Sequence, residues 1–255
     1  MRLTVTLMGC GTSTGVPRLP DDWGACDPTN PKNRRTRPAL LVQSDTTTLA
    51  VDTGPDFRQQ MLAAGATRLD AVLYTHDHAD HTHGIDDLRG FFFQRRAPVP
   101  LYGAAETLAT IQQRFDYIFV SRQGYPVIGR AVKIAPQPFR IGDIDVRPFV
   151  QGHGAITSLG FRFGDLAYST DVNALDAAAL EALAGVRIWI VDAVRYHPHP
   201  SHAHLDQALD WIAQVRPARA ILTHMAPDMD YDTLCRTLPE GVEPGFDGMV
   251  FQVAA

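Results

Sequence analysis

Short runs of apolar residues, each followed by a polar loop, recur along most of the chain. Alternating apolar and polar positions predict a first strand over Leu3–Met8, and Pro38–Gln43 with Thr47–Val51 predicts a hairpin that turns at Ser44-Asp45. The same patterns predict further strands at 71–74, 100–102, 139–141, 144–149, 159–163, 166–169, 186–191, 220–222 and 249–253, and helices at 57–64, 84–89, 105–115, 175–183, 205–215 and 231–237. In 255 residues, this alternation predicts an α/β protein with one large domain or two small ones.

Two segments break the pattern. Residues 16–38 contain five prolines, few aliphatic residues and the cations Lys32, Arg34, Arg35 and Arg37. Because strands are predicted on both sides, we interpret 16–38 as an irregular basic loop and not as a linker. Either it forms a solvated surface, or one or two of its arginines face a phosphate, which a planar guanidinium fits well. Residues 116–138 are interpreted as an insertion near the pocket.

Composition and charge narrow the classes of partner. The net charge of −5 gives no general attraction to nucleic acid or to an anionic membrane. The first residues lack a signal-peptide core, and the apolar stretch 182–194 is interrupted by Arg187 and too short to span a bilayer. Three widely spaced cysteines suggest no disulfide framework, so we expect a reducing, cytoplasmic location and no membrane partner.

Histidines and aspartates gather where predicted strands end. The loop after the strand at 71–74 reads Thr-His-Asp-His-Ala-Asp-His, and three later strands or hairpins also end in such a residue. The candidate metal ligands are His76, His78, Asp80, His81, His153, Asp171 and His224. Neutral imidazoles and carboxylates suit borderline divalent metals, and seven of them suffice for two ions with one shared carboxylate. Two such ions can hold a bridging hydroxide, which indicates a hydrolase; a histidine-rich surface loop without metal is the alternative.

The order of these residues resembles the metallo-β-lactamase superfamily over the whole chain. The resemblance rests on Thr-His-x-His-x-Asp-His, a lone downstream His, an Asp after a hairpin and a late Thr-His. It implies a single domain over 1–255, folded as a four-layer αβ/βα sandwich with the metal site at the edge of the two sheets. It also implies two divalent ions, Zn²⁺ or Mn²⁺. The first would be held by His76, His78 and His153, the second by Asp80, His81 and His224, and Asp171 would bridge them.

Within the superfamily, the chain is most similar to the phosphoribosyl cyclic phosphate diesterases. The similar stretches are Gly-x-Gly-Thr-Ser-Thr-Gly-Val-Pro at 9–17, Trp-Gly-x-Cys at 23–26 and Gly-Phe-Asp-Gly-Met at 245–249. Those diesterases carry a structural zinc on a cysteine cluster in the early loop. Only Cys26 remains of that cluster here, so no such zinc is expected. Asp171 stands where true β-lactamases use a cysteine, which argues against lactam hydrolysis.

The resemblance implies a phosphodiesterase acting on a small phosphate ester, cyclic esters included. A metal-bridging hydroxide would be the nucleophile, Asp80 would take part in catalysis, and His202 would be the general acid, with His204 as the alternative. An imidazole suits that role because its ordinary pKa lies near neutrality. The expected substrate-binding residues are Arg34, Arg35, Ser13, Thr14 and His204. Asp52 either orients a ligand imidazole or is a turn residue.

Two other functions fit parts of the sequence. An RNA 3′-processing endonuclease of the same superfamily would need a protruding arm and a basic surface, but the chain has no long Gly/Lys-rich insertion and is acidic. A metal-bearing carrier or scaffold without turnover is the other. The expected partner is a small phosphorylated substrate and not nucleic acid, and a homodimer is the assembly to test.

Overall fold

Two seven-stranded sheets make up the framework of the protein, described by a computed structural model that covers residues 1–255. The strands are β1 (Arg2–Gly9), β2 (Ala39–Gln43), β3 (Thr48–Val51), β4 (Ala71–Leu73), β5 (Val99–Gly103), β6 (Gly129–Lys133), β7 (Phe139–Ile141), β8 (Ile144–His153), β9 (Ile156–Phe163), β10 (Leu166–Ser169), β11 (Ile188–Asp192), β12 (Arg219–Thr223), β13 (Val242–Pro244) and β14 (Met249–Ala254). The helices are α1 (Phe57–Ala63), α2 (Ala79–Thr82), α3 (Leu88–Arg95), α4 (Ala105–Arg114), α5 (Asp116–Phe119), α6 (Ala177–Leu183), α7 (Leu205–Val215) and α8 (Tyr231–Thr237).

Each sheet mixes antiparallel and parallel pairs. The first has the order β14-β1-β2-β3-β4-β5-β6, with β3 to β6 parallel, and the second has the order β13-β12-β11-β10-β9-β8-β7, with β10 to β13 parallel. β2 shows why the sheets bury both faces. Its Leu40 and Val42 belong to the core between the sheets, while Ala39 and Leu41 pack with α1 on the outside. The predicted α/β sandwich is confirmed.

The two sheets are also joined at a turn that the sequence predicted. β7 and β8 pair around Gly142-Asp143. Gly142 has a φ of 57°, and a Cβ at this position would lie 2.0 Å from Thr47 Oγ1 of the first sheet, so only glycine fits. The Ser44 hydroxyl donates to Asp143 Oδ1 at 2.6 Å across the same junction.

The carboxy-terminal tail returns to the first sheet and holds two early loops. β14 pairs antiparallel with β1. Just before β14, Asp247 Oδ1 accepts from the Cys10 amide at 3.0 Å, and its Oδ2 accepts from the amide and hydroxyl of Thr36 at 2.6 Å each. Burial raises the pKa of Asp247 to about 6, against these stabilising hydrogen bonds.

Two strands were not expected from the sequence. Gly129–Lys133 forms the edge strand β6 within 116–138, and Val242–Pro244 forms β13, although neither segment showed a strand pattern.

No helix of the structure combines the length and the apolar character needed to cross a membrane. All three cysteines are free; Cys10 and Cys26 are buried, and Cys235 is exposed.

Candidate metal centre

The carboxyl ends of β4, β11 and β12 lie at one edge of the sandwich, where the polar loops gather. After β4 the chain bends at Thr75, and α2 begins at Ala79. His76 and His78 therefore lie on the loop, where His78 has extended backbone, whereas Asp80 and His81 lie on the first turn of a helix. This turn packs so closely on Gly54 that a Cβ there would lie 2.1 Å from the Asp80 carbonyl oxygen.

The remaining candidate ligands come from the second sheet. His153 ends β8, Asp171 follows β10 by two residues, and His224 follows β12 directly. Asp171 and His224 have φ values of 54° and 59°. Left-handed backbone costs a non-glycine residue on the order of 1 kcal/mol or more, and such strain is concentrated at functional sites.

The seven predicted ligands form two groups that share Asp171. One group holds His76, His78, His153 and Asp171, and the other holds Asp80, His81, Asp171 and His224; in each, the potential ligand atoms lie within 4.8 Å of one another. The Asp171 carboxylate lies between them. Its Oδ1 is 3.7 Å from His76 Nε2 and 3.6 Å from His153 Nε2. Its Oδ2 is 3.1 Å from His81 Nε2 and 3.6 Å from His224 Nε2.

Unpartnered nitrogens test whether these groups fit a metal. The Nε2 atoms of His76, His81 and His224 are buried and make no hydrogen bond of acceptable geometry. An unsatisfied buried polar atom costs about 1–3 kcal/mol, so three at one point indicate a missing partner. Each faces a carboxylate oxygen, and imidazole nitrogens with carboxylate oxygens are the donors that Zn²⁺, Mn²⁺ and Fe²⁺ accept. The residues therefore fit divalent metal ions.

Buried carboxylates and imidazoles of the second ligand group shift one another's pKa values. Burial alone would raise the pKa of Asp171, but the imidazoles of His224, His81 and His76 hold it well below its usual range. Burial opposes protonation of His224, yet Asp171 and Asp80 raise its pKa to about 9. Divalent ions would take the place of such protons, since ligands must be deprotonated to coordinate.

Hydrogen bonds around the groups fix the orientation of individual rings. Asp52 is fully buried and has a φ of 66°. Its carboxylate accepts from the amide and hydroxyl of Thr75 at 2.8 Å each and from His81 Nδ1 at 2.7 Å. Because a carboxylate only accepts, the His81 proton lies on Nδ1 and the Nε2 lone pair faces the site. His153 Nδ1 donates to the Ser201 carbonyl at 2.6 Å with the same effect.

His202 lies directly beside the two ligand groups. Its ring centroid is 4.7 Å from that of His153 and 4.6 Å from that of His224, on which it stacks. His202 Nδ1 donates to Asp192 Oδ2 at 2.9 Å, which leaves Nε2 free for a substrate. His204 stands at the start of α7 and makes no ring contact with these histidines. Of these two residues, His202 is the one whose ring contacts the candidate ligands.

The residues predicted to contact the substrate do not gather at one place as the candidate ligands do. The structure contradicts the role predicted for Arg35, which is 1% exposed and donates to the carbonyls of Met229 at 2.6 Å and Ala226 at 3.3 Å. Its guanidinium holds the chain after His224 and does not face a cleft. Arg34 is exposed, with its guanidinium over the Trp23 ring at 4.9 Å.

Ser13 and Thr14 remain exposed on the loop after β1. Gly11 pairs with Met225, the residue after His224, so this loop borders the second ligand group. The substrate contacts predicted for the hydroxyls of Ser13 and Thr14 stay predictions.

Two polar residues near the site carried no predicted role. Asp192 orients His202, and Arg114 contacts Asp77 within the histidine loop through the Asp77 carbonyl and, at 3.4 Å, its carboxylate. The position of Asp192 at the end of β11 is the signal that would have identified it, since His153 and His224 also stand at strand ends.

Comparison with known proteins places this fold and site in a family. Residues 47–225 match the family model described as "Beta-lactamase superfamily domain". The chain belongs to this superfamily. The chain superimposes on a solved diphosphatase of the PhnP family with a TM-score of 0.93 and 35% sequence identity. The superposition covers 99% of the chain and 98% of that protein. The predicted resemblance to the metallo-β-lactamase superfamily, close to the PhnP-like branch, is thus confirmed.

Curated relatives are longer than the chain. An octanoyltransferase of Porphyromonas gingivalis is 35% identical over 248 residues, which cover 95% of the chain and 50% of that protein. A ribonuclease Z of a Bradyrhizobium species is 30% identical over 138 residues, which cover 52% of the chain and 46% of that protein. The chain spans about half the length of the curated relatives it matches. The solved human short-form tRNase Z, at 18% identity and a TM-score of 0.67, shares the fold.

Proposed function

We propose that the protein is a dinuclear metal-dependent hydrolase that cleaves a phosphorus–oxygen bond in a small phosphate ester, most simply a phosphodiester. The observation that carries the proposal is the position of Asp171, whose two oxygens each face a different group of ligands. Two metal ions bound there would supply Lewis acidity and neutralise negative charge on a phosphate.

The ligand residues would hold the reacting group at a fixed place. His76, His78 and His153 form one wall, and Asp80, His81 and His224 form the other. Asp52 and the Ser201 carbonyl fix two of these imidazoles before a substrate arrives. Preorganisation of this kind removes the cost of reorienting the groups during the reaction.

His202 would protonate the departing oxygen. Its Nδ1 proton is held by the fully buried Asp192, so Nε2 is the atom that would deliver the proton to the departing oxygen. This arrangement presents an acid at the edge of the ligand groups, where an alkoxide would otherwise leave with full negative charge.

The similarity to a solved diphosphatase of the PhnP family supports chemistry at phosphorus. Partial matches to ribonuclease Z are compatible with a phosphodiester substrate. The acidic net charge favours a small substrate over RNA.

The experiment is turnover of bis(p-nitrophenyl) phosphate and of alkyl phosphodiesters by protein reloaded with Zn²⁺ or Mn²⁺ after chelation. His202→Asn is expected to lower kcat about 10²–10⁴-fold on alkyl esters. The loss should be smaller on p-nitrophenyl esters, whose leaving group needs no proton. His197→Asn, an exposed histidine of the same loop, is the matched control. Absence of turnover on every diester by the metal-loaded protein, with stoichiometric binding instead, would support a carrier, and cleavage of precursor tRNA alone would support the RNA-processing function.

A further inference from the structure

A cavity of about 500 Å³ opens beside the first ligand group and reaches His76. Its walls are the start of α4 and the turn between β8 and β9, which carries His153 at its beginning. Polar side chains in the wall are Asp77, Glu106, Thr107, Thr110 and Thr157. The cavity therefore adjoins the place where the proposed reaction occurs and has room for the organic part of a substrate.

The wall that α4 contributes to this cavity is negatively charged. Glu106 is exposed and has no salt bridge or hydrogen bond through its carboxylate. Asp77 is neutralised by Arg114, at 3.4 Å between Nη2 and Oδ2. Neither lysine nor arginine lines the cavity. A second phosphate placed against this wall would be repelled by the Glu106 carboxylate, and apart from the metal ions that the ligands would hold, no lysine or arginine lines the cavity to offset that repulsion.

Its hydrogen-bonding groups suit hydroxyls. Thr107 is 8% exposed, lines the cavity and makes no side-chain hydrogen bond within the protein. A carboxylate that accepts and a threonine that donates or accepts are complementary to alcohol groups, which do both. Ala104, Ala155 and Ile156 add an apolar surface for a carbon skeleton.

The basic loop does not reverse this charge. The Arg35 guanidinium is buried on carbonyl oxygens, Arg34 lies over Trp23, and Arg37 pairs with Asp56 at 3.2 Å. None of these arginines lines the cavity. These arginines therefore could not hold a second phosphate of a substrate in this cavity.

We propose that the cavity beside His76 binds the organic group of the substrate and selects an uncharged, polyhydroxylated group over one that carries a second phosphate, with Glu106 as the selecting residue. This inference rests on the proposed function, because it concerns the same reaction site.

The test compares two chromogenic diesters, glyceryl p-nitrophenyl phosphate and the same ester phosphorylated on its terminal hydroxyl. The unmodified protein is expected to favour the first about tenfold in kcat/KM, the effect of one exposed carboxylate on a phosphate dianion about 8 Å away at an effective dielectric constant of about 60. Glu106→Gln should narrow the preference, and Glu106→Lys should invert it. Glu181→Lys, an exposed glutamate on α6, is the control and should leave it unchanged.

Binding to the metal-free protein gives a readout that does not depend on turnover. Saturation-transfer NMR should detect contact with the protons of glycerophosphoglycerol, and Ala155→Trp, which fills the cavity from an exposed position, should remove the signal. Equal or reversed preference in the unmodified protein, no effect of Glu106→Lys, or turnover of bis(p-nitrophenyl) phosphate without turnover of either glyceryl ester would overturn the inference alone. Lack of turnover on all diesters would instead refute the proposed function.

Discussion

Asp52→Asn separates the orientation of a ligand from its presence. The substitution keeps the shape of the side chain, and asparagine tolerates the left-handed backbone at φ 66°. One oxygen still accepts from the Thr75 amide, but an NH₂ group now faces His81 Nδ1. That nitrogen must then accept, so the His81 proton moves to Nε2, the atom that lies 3.1 Å from Asp171 and faces the site.

The magnitude follows from the hydrogen bonds that change. One charge-assisted hydrogen bond to His81 is lost, worth about 1.5–3 kcal/mol of unfolding free energy in the metal-free protein. Metal affinity should fall about 10–100-fold, as is typical when a partner of a ligating histidine is altered. The second effect exists only if His81 coordinates through Nε2.

Two assays measure these effects separately. Urea denaturation of the metal-free protein gives the change in unfolding free energy, and competition with a chromophoric chelator gives the affinity for Zn²⁺. Asp45→Asn, an exposed aspartate in the first hairpin turn, is the control and should change neither. Unaltered zinc affinity in Asp52→Asn would refute the assignment of His81 as an oriented ligand.

Three further predictions concern stability. In the metal-free protein, burial lowers the pKa of His224, but Asp171 outweighs burial and raises the folded-state pKa to about 9, above the unfolded value of about 6.5. The resulting stabilisation is present below pH 6.5 and is lost as the pH rises to 9. A urea midpoint that stays constant across that window would contradict this prediction. Asp247→Asn should lower the free energy of unfolding by about 2 kcal/mol in denaturation, because in either orientation the amide NH₂ must face a backbone N–H, of Cys10 or of Thr36. Arg35→Met should cost about 2–3 kcal/mol by leaving the carbonyl of the buried Met229 unpaired, whereas Arg34→Met, on the surface, should stay within about 0.5 kcal/mol, and equal effects would refute the distinction.

The sequence predicted best where local patterns and chemistry agree. His76, His78, Asp80 and His81 follow a buried strand, and strand ends from both sheets meet at one edge, so their gathering with His153, Asp171 and His224 could be foreseen. The hairpins at 139–149 and 159–169 were equally clear, because a Gly-Asp pair separates two apolar runs in each.

The sequence-based predictions failed for strands without an apolar pattern and for side chains whose contacts lie far away in the sequence. Strand β6 is an edge strand with polar residues, and β13 has three residues, so neither carries an apolar pattern. The sequence shows that the loop at 16–38 carries cations. Whether Arg35 turns inward, however, depends on the carbonyls of residues 226 and 229, nearly 200 positions away. The sequence placed Asp192 at a strand end, and only the folded chain brings it to His202.

The division of the ligands between the two sheets has a consequence for the order of events in folding. The histidine loop is complete by residue 81, but the ligands that finish both groups arrive only with residues 153, 171 and 224. β1 also pairs with β14, which lies at the other end of the chain and is the last strand to be synthesised. An emerging chain therefore meets metal with half a site, and tight binding becomes a late event that reports the docking of the two sheets.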